Sequence, residues 1–255
     1  MLRRPSENDN KYTRGVVTLL TGSTGYPGAA LLSVGAAWAT GIGMVRYLGP
    51  ESLRNQVLQA YPETVFVAGR TDCTVAGSGR PEPLEPAELE VLNGSQSAVI
   101  DAGAFETVDF ATTPKATILT PHFGELQKLQ VRLGLSSADD PKSDAIALAV
   151  ASQRFVLLKG STTWLAAPDG TCLPVGPNSP WLSTAGTGDV LAGILGASLA
   201  ANRDLITEDA HHILKVAELA VKLHSRAAEL AAIDGPVSAS TLLSKVGAAV
   251  VEQLD

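Results

Sequence analysis

The sequence predicts an α/β protein in three layers, with a mostly parallel central sheet flanked by helices on both faces. Three observations carry this. Short apolar runs of strand type alternate with longer stretches of helical spacing, the order that produces strand–helix–strand crossovers and parallel pairing. The composition is 45% hydrophobic but only 5% aromatic, with 24 glycines, which suits helices packed tightly on a buried sheet. A glycine-rich turn separates the first strand-like run from the first helix-like one, where α/β folds keep their ligand turns. At 255 residues the chain makes one large domain or two small ones. A mean hydropathy of +0.16 is enough for a sizeable core.

Residues 1–12 read as a polar arm, with disorder expected over Met1–Asn10, and residues 13–255 as a single domain. The arm lacks the apolar stretch of a signal peptide, and no apolar run reaches membrane-spanning length. A net charge of −7 argues against non-specific binding to nucleic acid or an anionic membrane. Cys73 and Cys172 form no metal-spaced pair and read as free thiols of a reducing compartment. The expected location is therefore cytoplasmic.

Val16–Leu20 reads as the first strand. It ends in Thr21-Gly22-Ser23-Thr24-Gly25-Tyr26-Pro27-Gly28, and a helix follows to about Thr40, then a strand over Met44–Leu48. That is a βαβ unit with a nucleotide or phosphate turn in place. A dehydrogenase is the rival. Against it, the glycines fall as GxxGxxG, and no tyrosine has a lysine four residues later. Cys73–Ala76 reads as a strand leading to Gly77-Ser78-Gly79-Arg80-Pro81, and Pro81–Pro86 as a solvated connection. Ser97–Asp101 is a buried strand ending in a carboxylate. Asp101 either orients a metal-bound water or phosphate or caps the next element.

Ala116–Leu119 is the next strand, delivering Thr120-Pro121-His122-Phe123-Gly124-Glu125-Leu126 to a strand-end turn. Ser143–Gln153 reads as a helix and Phe155–Leu158 as a strand. The latter delivers Lys159-Gly160-Ser161-Thr162-Thr163, a cation followed by glycine and hydroxyls that suits a phosphate. Trp164–Ala167 and Pro168-Asp169-Gly170 then make a hairpin-like turn.

Most of the chemistry lies in Asn178–Ala201. The small-residue turn Ala185-Gly186-Thr187-Gly188 ends on Asp189 and opens an apolar helix. Such a turn brings backbone N–H groups and the positive end of a helix dipole to an anion. Asp189 at the mouth of a phosphate site reads either as a general base toward an attacking hydroxyl or as an N-cap. One long amphipathic helix is expected from Thr207, its N-cap, to about Leu230. His211, His212 and His224 on it lack metal spacing and read as surface or packing residues. A last helix starts at Ser238 or Ser240.

Taken in order, GSTGYPGA, the Gly77 loop, TPHFGEL, LKGSTT and GTGDVLAG resemble the NAD(P)H-hydrate dehydratases. These are a branch of the ribokinase-like superfamily related to the C-terminal domain of YjeF-type proteins. The resemblance covers about Thr13–Leu254. It implies a ribokinase-like fold and dehydration of NAD(P)H hydrate driven by ADP or ATP with Mg²⁺. By resemblance, Ala29, Gly79, His122 and Asp189 contact the hydrate, and Asp189 is the catalytic base. Lys159, Gly160, Ser161, Thr162 and Thr163, with Gly186, Thr187 and Gly188, hold the adenine nucleotide and its phosphates. Glu125 belongs to the metal–phosphate region, and a homotetramer is the implied assembly. Four positions depart from the family pattern: Thr21 for glycine, Ser78 for proline, Gly103 for a second acid and Phe123 for a second proline. Two other readings stay open: a small-molecule kinase that stops at its phosphorylated product, and a non-catalytic nucleotide sensor.

Overall fold

The computed structural model describes residues 4–254; the first three residues of the expected arm lie outside the described residues. From Ser6 onward the arm is a run of hydrogen-bonded turns. The Ser6 N–H donates to Asp9 Oδ2 at 2.7 Å, and Asn10 Oδ1 accepts from the N–H groups of Tyr12 and Thr13. Short Asx side chains satisfy the backbone locally here, so the described part of the stretch expected to be disordered is ordered as turns.

The elements in chain order are β1 (Val16–Leu20), α1 (Pro27–Ala39), β2 (Met44–Tyr47), α2 (Arg54–Ala60), β3 (Cys73–Ala76), α3 (Pro86–Asn93), β4 (Ser97–Ile100) and α4 (Ala104–Thr107). Next come β5 (Ala116–Leu119), α5 (Phe123–Arg132), α6 (Pro141–Ser152), β6 (Phe155–Leu158), β7 (Thr163–Ala166) and β8 (Cys172–Val175). The chain ends with α7 (Thr187–Ala201), α8 (Arg203–Glu208), α9 (His212–Ala232) and α10 (Ala239–Leu254).

Among the described residues eight strands form one sheet in the order β2-β1-β3-β4-β5-β6-β7-β8. β1 to β6 pair in parallel, while β7 and β8 close the edge as an antiparallel hairpin. Alternation along each strand sorts the core into two layers. Val17, Leu19, Val75 and Val99 pack with α1, α7, α9 and α10. Leu20, Ala76, Ala98 and Ile100 pack with Leu92, Leu126 and Leu148 of α3, α5 and α6. Burial on both faces explains why the parallel strands are nearly all apolar.

Helix α7 is buried along almost its whole length, because it lies on β1, β3 and β4 and is covered by α1 and α9. A helix so enclosed must be apolar all round, as its sequence is. The small residues of α1 serve this packing. Ala29, Ala30, Ser33, Ala36 and Ala37 are buried within the chain, and a Cβ on Gly193 of α7 would stand 2.2 Å from the Ser33 carbonyl oxygen.

The single helix expected from Thr207 is two helices. α8 ends at Glu208, and Asp209 leaves the helical region at φ −147°. Thr207 Oγ1 donates to the Arg203 carbonyl at 2.8 Å instead of capping. Asp209 Oδ1 accepts from the His211 N–H, and His211 is the N-cap of α9. An acid that can satisfy the backbone of a turn ends one helix and starts the next.

Candidate active site

The parallel strands bring five loops to one edge of the sheet, those after β1, β3, β4, β5 and β6, and the N-terminus of α7 meets them there. Gly186 makes this possible. It is the N-cap of α7 with φ 89°, a conformation glycine adopts without the Cβ penalty. The first helical bond runs from the Val190 N–H to the Gly186 carbonyl. The N–H groups of Gly188 and Asp189 therefore belong to the first turn, where no helix carbonyl can accept them. Asp189 is the third residue of the helix and not its cap, so the capping alternative is set aside. Its carboxyl is pushed up to about 6, first by burial and then by the Asp101 charge, against the opposing pull of Lys159.

Lys159 leaves the end of β6, and its Nζ donates to Asp101 Oδ1 at 2.9 Å. The same ammonium lies 3.9 Å from Glu125 Oε2 and 3.7 Å from where a Cβ on Gly188 would stand. Burial works against its charge, but Asp101 and Glu125 outweigh that and hold its pKa above the ordinary lysine value. Asp101 is 4% exposed. It also accepts from Thr120 Oγ1 at 2.9 Å and Ser78 Oγ at 2.8 Å. Its carboxylate thus ties the ends of β3, β4, β5 and β6 together and caps nothing. A buried charge needs this many partners.

His122 is the N-cap of α5. Its Nδ1 accepts from the Gly124 and Glu125 N–H groups, at 3.0 and 3.3 Å, and Glu125 Oε2 accepts from the His122 N–H at 2.8 Å. This reciprocal capping box fixes both side chains. The imidazole is 60% exposed, with Nε2 3.6 Å from Glu125 Oε1. Tyr26, Ala29, Gly79, His122, Glu125 and Asp189 all line one cavity of about 1570 Å³. That exceeds the roughly 300–1,000 Å³ typical of a drug-sized ligand.

Gly79 has φ 63°, and a Cβ there would stand 2.2 Å from that of Ala29. Gly79→Ala should cost about 1–3 kcal/mol of stability and crowd the cavity wall. Thermal denaturation would read the first effect and the KM for the cavity ligand the second.

The residues assigned to the nucleotide are distributed differently. Gly160 and Ser161 are exposed, whereas Thr163 is buried. Asn178 clamps their turn: its Nδ2 donates to the Gly160 carbonyl and Thr163 Oγ1, both at 2.9 Å, and its N–H donates to the Ser161 carbonyl. Thr187 Oγ1 faces the Leu182 and Thr184 carbonyls, both at 2.8 Å. The hydroxyls of Thr163 and Thr187 therefore face protein.

Three of the four departures have structural partners. Thr21 Oγ1 lies 2.8 Å from Ser33 Oγ, tying β1 to α1. Ser78 gives Asp101 a donor that proline would lack. A Cβ on Gly103 would stand 1.8 Å from the Arg80 carbonyl oxygen, so backbone fills the space of the second acid's side chain. Nothing in the structure explains Phe123. Asn178 opens the stretch that the sequence singles out, and His224 reads in sequence as a surface or packing residue, but nothing in either segment specifies the partners that the structure gives them.

A sequence model of the NAD(P)H-hydrate dehydratase family matches residues 17–247. The bifunctional NAD(P)H-hydrate repair enzyme Nnr of Corynebacterium glutamicum is 35% identical over 97% of this chain and 49% of its own length, so the chain spans about half of that relative. The ADP-dependent (S)-NAD(P)H-hydrate dehydratase of Xanthomonas campestris pv. campestris is 27% identical, covering 80% of this chain and 78% of that protein. A solved structure of the ADP/ATP-dependent NAD(P)H-hydrate dehydratase of Bacillus subtilis, co-crystallised with ATP/Mg²⁺, aligns over 100% of this chain and 95% of that one, with a TM-score of 0.79 and 26% identity. The fold is therefore the ribokinase-like one that the sequence predicts. With its motifs in order, its acid at the head of α7 and its lysine held beside it, the chain belongs to the NAD(P)H-hydrate dehydratase family.

Proposed function

We propose that this chain restores NAD(P)H from its hydrate, using ADP or ATP to phosphorylate the ring hydroxyl and then eliminating phosphate. The observation that carries the reading is the half-buried Asp189 carboxylate at the head of α7, facing the cavity, with the Lys159 ammonium against the same turn. Hydroxide is a poor leaving group and phosphate a good one. Asp189 takes the hydroxyl proton as that oxygen attacks the terminal phosphoryl group. First-turn N–H groups and Lys159 stabilise the charge that builds on it. The ring nitrogen then expels phosphate as the C–O bond breaks, and a proton leaves the neighbouring ring carbon. Ala29, Gly79 and His122 hold the hydrate, while Gly160, Ser161 and Thr162, with the backbone of Thr163, Gly186 and Thr187, hold the nucleotide.

Among the described residues no group of three or more metal-ligating side chains is preassembled. Mg²⁺ needs only one or two carboxylates when phosphates and waters complete its shell, and the oxygen-rich surroundings of Lys159 fit that pattern. Glu125, 18% exposed beside Lys159, would hold the ion, which supplies neutralising charge to the phosphates. The Xanthomonas relative supports ADP as donor, and the Bacillus one supports either nucleotide. The same reading includes one domain over residues 13–255, a cytoplasmic location and a homo-oligomer.

Two measurements test the reading. One phosphate should be released for each dinucleotide restored; a stable phosphorylated product without release would mark a kinase instead. The base must be ionised, so turnover should fall about tenfold per pH unit below about 6, the value to which burial raises Asp189. A flat profile between pH 8 and 5 would remove Asp189 from that role.

A further inference from the structure

We propose that His224 is a positioning residue for the phosphate turn: from beneath α7 it fixes the Thr187–Gly188 peptide so that the Gly188 N–H faces the phosphoryl group. The inference rests on the nucleotide-binding reading above. His224 lies on the inner face of α9 and is 5% exposed. Its Nε2 is 2.8 Å from the Thr187 carbonyl oxygen. A carbonyl only accepts, so Nε2 carries the hydrogen and donates.

The Thr187 oxygen and the Gly188 N–H belong to one planar peptide. The oxygen already accepts the first-turn helix bond of α7, and a second hydrogen bond on it holds that plane more tightly. It also polarises the amide, so that its N–H becomes a stronger donor. That N–H is a first-turn group without a helix acceptor. The Lys159 ammonium stands against the same residue, 3.7 Å from where a Gly188 Cβ would be. Ser225, the next residue of α9, accepts the Ser179 N–H on its Oγ at 2.8 Å. Two consecutive residues of one rigid helix therefore hold both ends of the segment from Ser179 to Thr187. Burial pushes His224 down to about 4, so the ring stays neutral and keeps the same donor across the working range.

His224→Met keeps the apolar volume and removes the donor, while His224→Gln can place an amide nitrogen near the position of Nε2. The readouts are ADP affinity by titration calorimetry with Mg²⁺ and no hydrate, then kcat and nucleotide KM. His224→Met should weaken ADP binding and lower kcat, each by up to about tenfold, the upper worth of one neutral hydrogen bond, and His224→Gln should recover most of both. A merely structural role would lower Tm in both variants and leave the KM of the folded molecules unchanged. Unchanged ADP affinity and kcat in His224→Met overturn the proposal. A native protein that binds no ADP overturns instead the nucleotide reading beneath it. Should His224→Met fail to fold, ¹⁵N-histidine labelling of the native protein decides. The Nε2–H signal of His224 should shift when ADP is added, and an unmoved signal overturns the proposal.

Discussion

Asp189→Asn should lower turnover by roughly 10²–10⁴-fold, the range expected for loss of a general base, while ADP affinity stays within about twofold. Asparagine keeps the size and the first-turn position but cannot take a proton. The same variant should be more stable than the native protein at pH 8. The sign follows from the carboxyl being raised from its ordinary 3.8 to about 6 in the folded state. Ionisation there opposes folding, fully so above about 6. The amide removes that cost, and its advantage should fade as the pH falls from about 6 to 3.8, below which the native carboxyl is neutral in both states. Turnover assays and thermal denaturation at the two pH values read the two halves. Near-native turnover in this variant would end the assignment of Asp189 as base. A gain in stability bought with activity is the usual mark of a functional residue in an unfavourable place.

Lys159→Met should be the second large effect, with kcat/KM falling roughly 10²–10³-fold as a donor to the developing phosphoryl charge is lost. It should also destabilise the fold, because Asp101 would be left buried and charged with only two hydroxyl donors. The double variant Asp101→Asn/Lys159→Met should regain much of the stability and none of the activity. Replacing both members of a buried pair is far less costly than removing one, and a thermodynamic cycle over the four proteins isolates the coupling. A double variant as unstable as Lys159→Met would mean that Asp101 is held chiefly by Ser78 and Thr120.

The main architecture was legible because strand and helix periods are local. Val16–Leu20 and Phe155–Leu158 are strands in both sequence and structure. The apolar run after Asp189 is a helix for the same reason, while its burial between the sheet and the helices α1 and α9 shows only in the structure. Boundaries set by side-chain chemistry were less legible. Asp209 falls inside the one helix expected from Thr207, yet its carboxylate takes the His211 N–H and divides the stretch in two. Asp189 looked equally like a cap or a base until the left-handed Gly186 took the capping position.

Contacts that join distant segments lay beyond the sequence altogether. The Lys159–Asp101 pair spans 58 positions and the His224–Thr187 bond 37, and neither partner specifies the other by type. The departures at Ser78 and Gly103 show the same limit. Read in sequence they suggest a decayed site. In the structure one supplies a donor to Asp101, and the other makes room for the Arg80 carbonyl, so the geometry around Asp189 is supported at both positions.

The most direct test mixes the purified protein and Mg²⁺ with NADH hydrate and follows the absorbance of the reduced nicotinamide, with ADP in one cuvette and ATP in another. The account predicts a rise that needs a nucleotide, identifies the donor by which cuvette responds, and disappears in Asp189→Asn. A flat trace in both cuvettes, whether or not nucleotide is consumed, would contradict it.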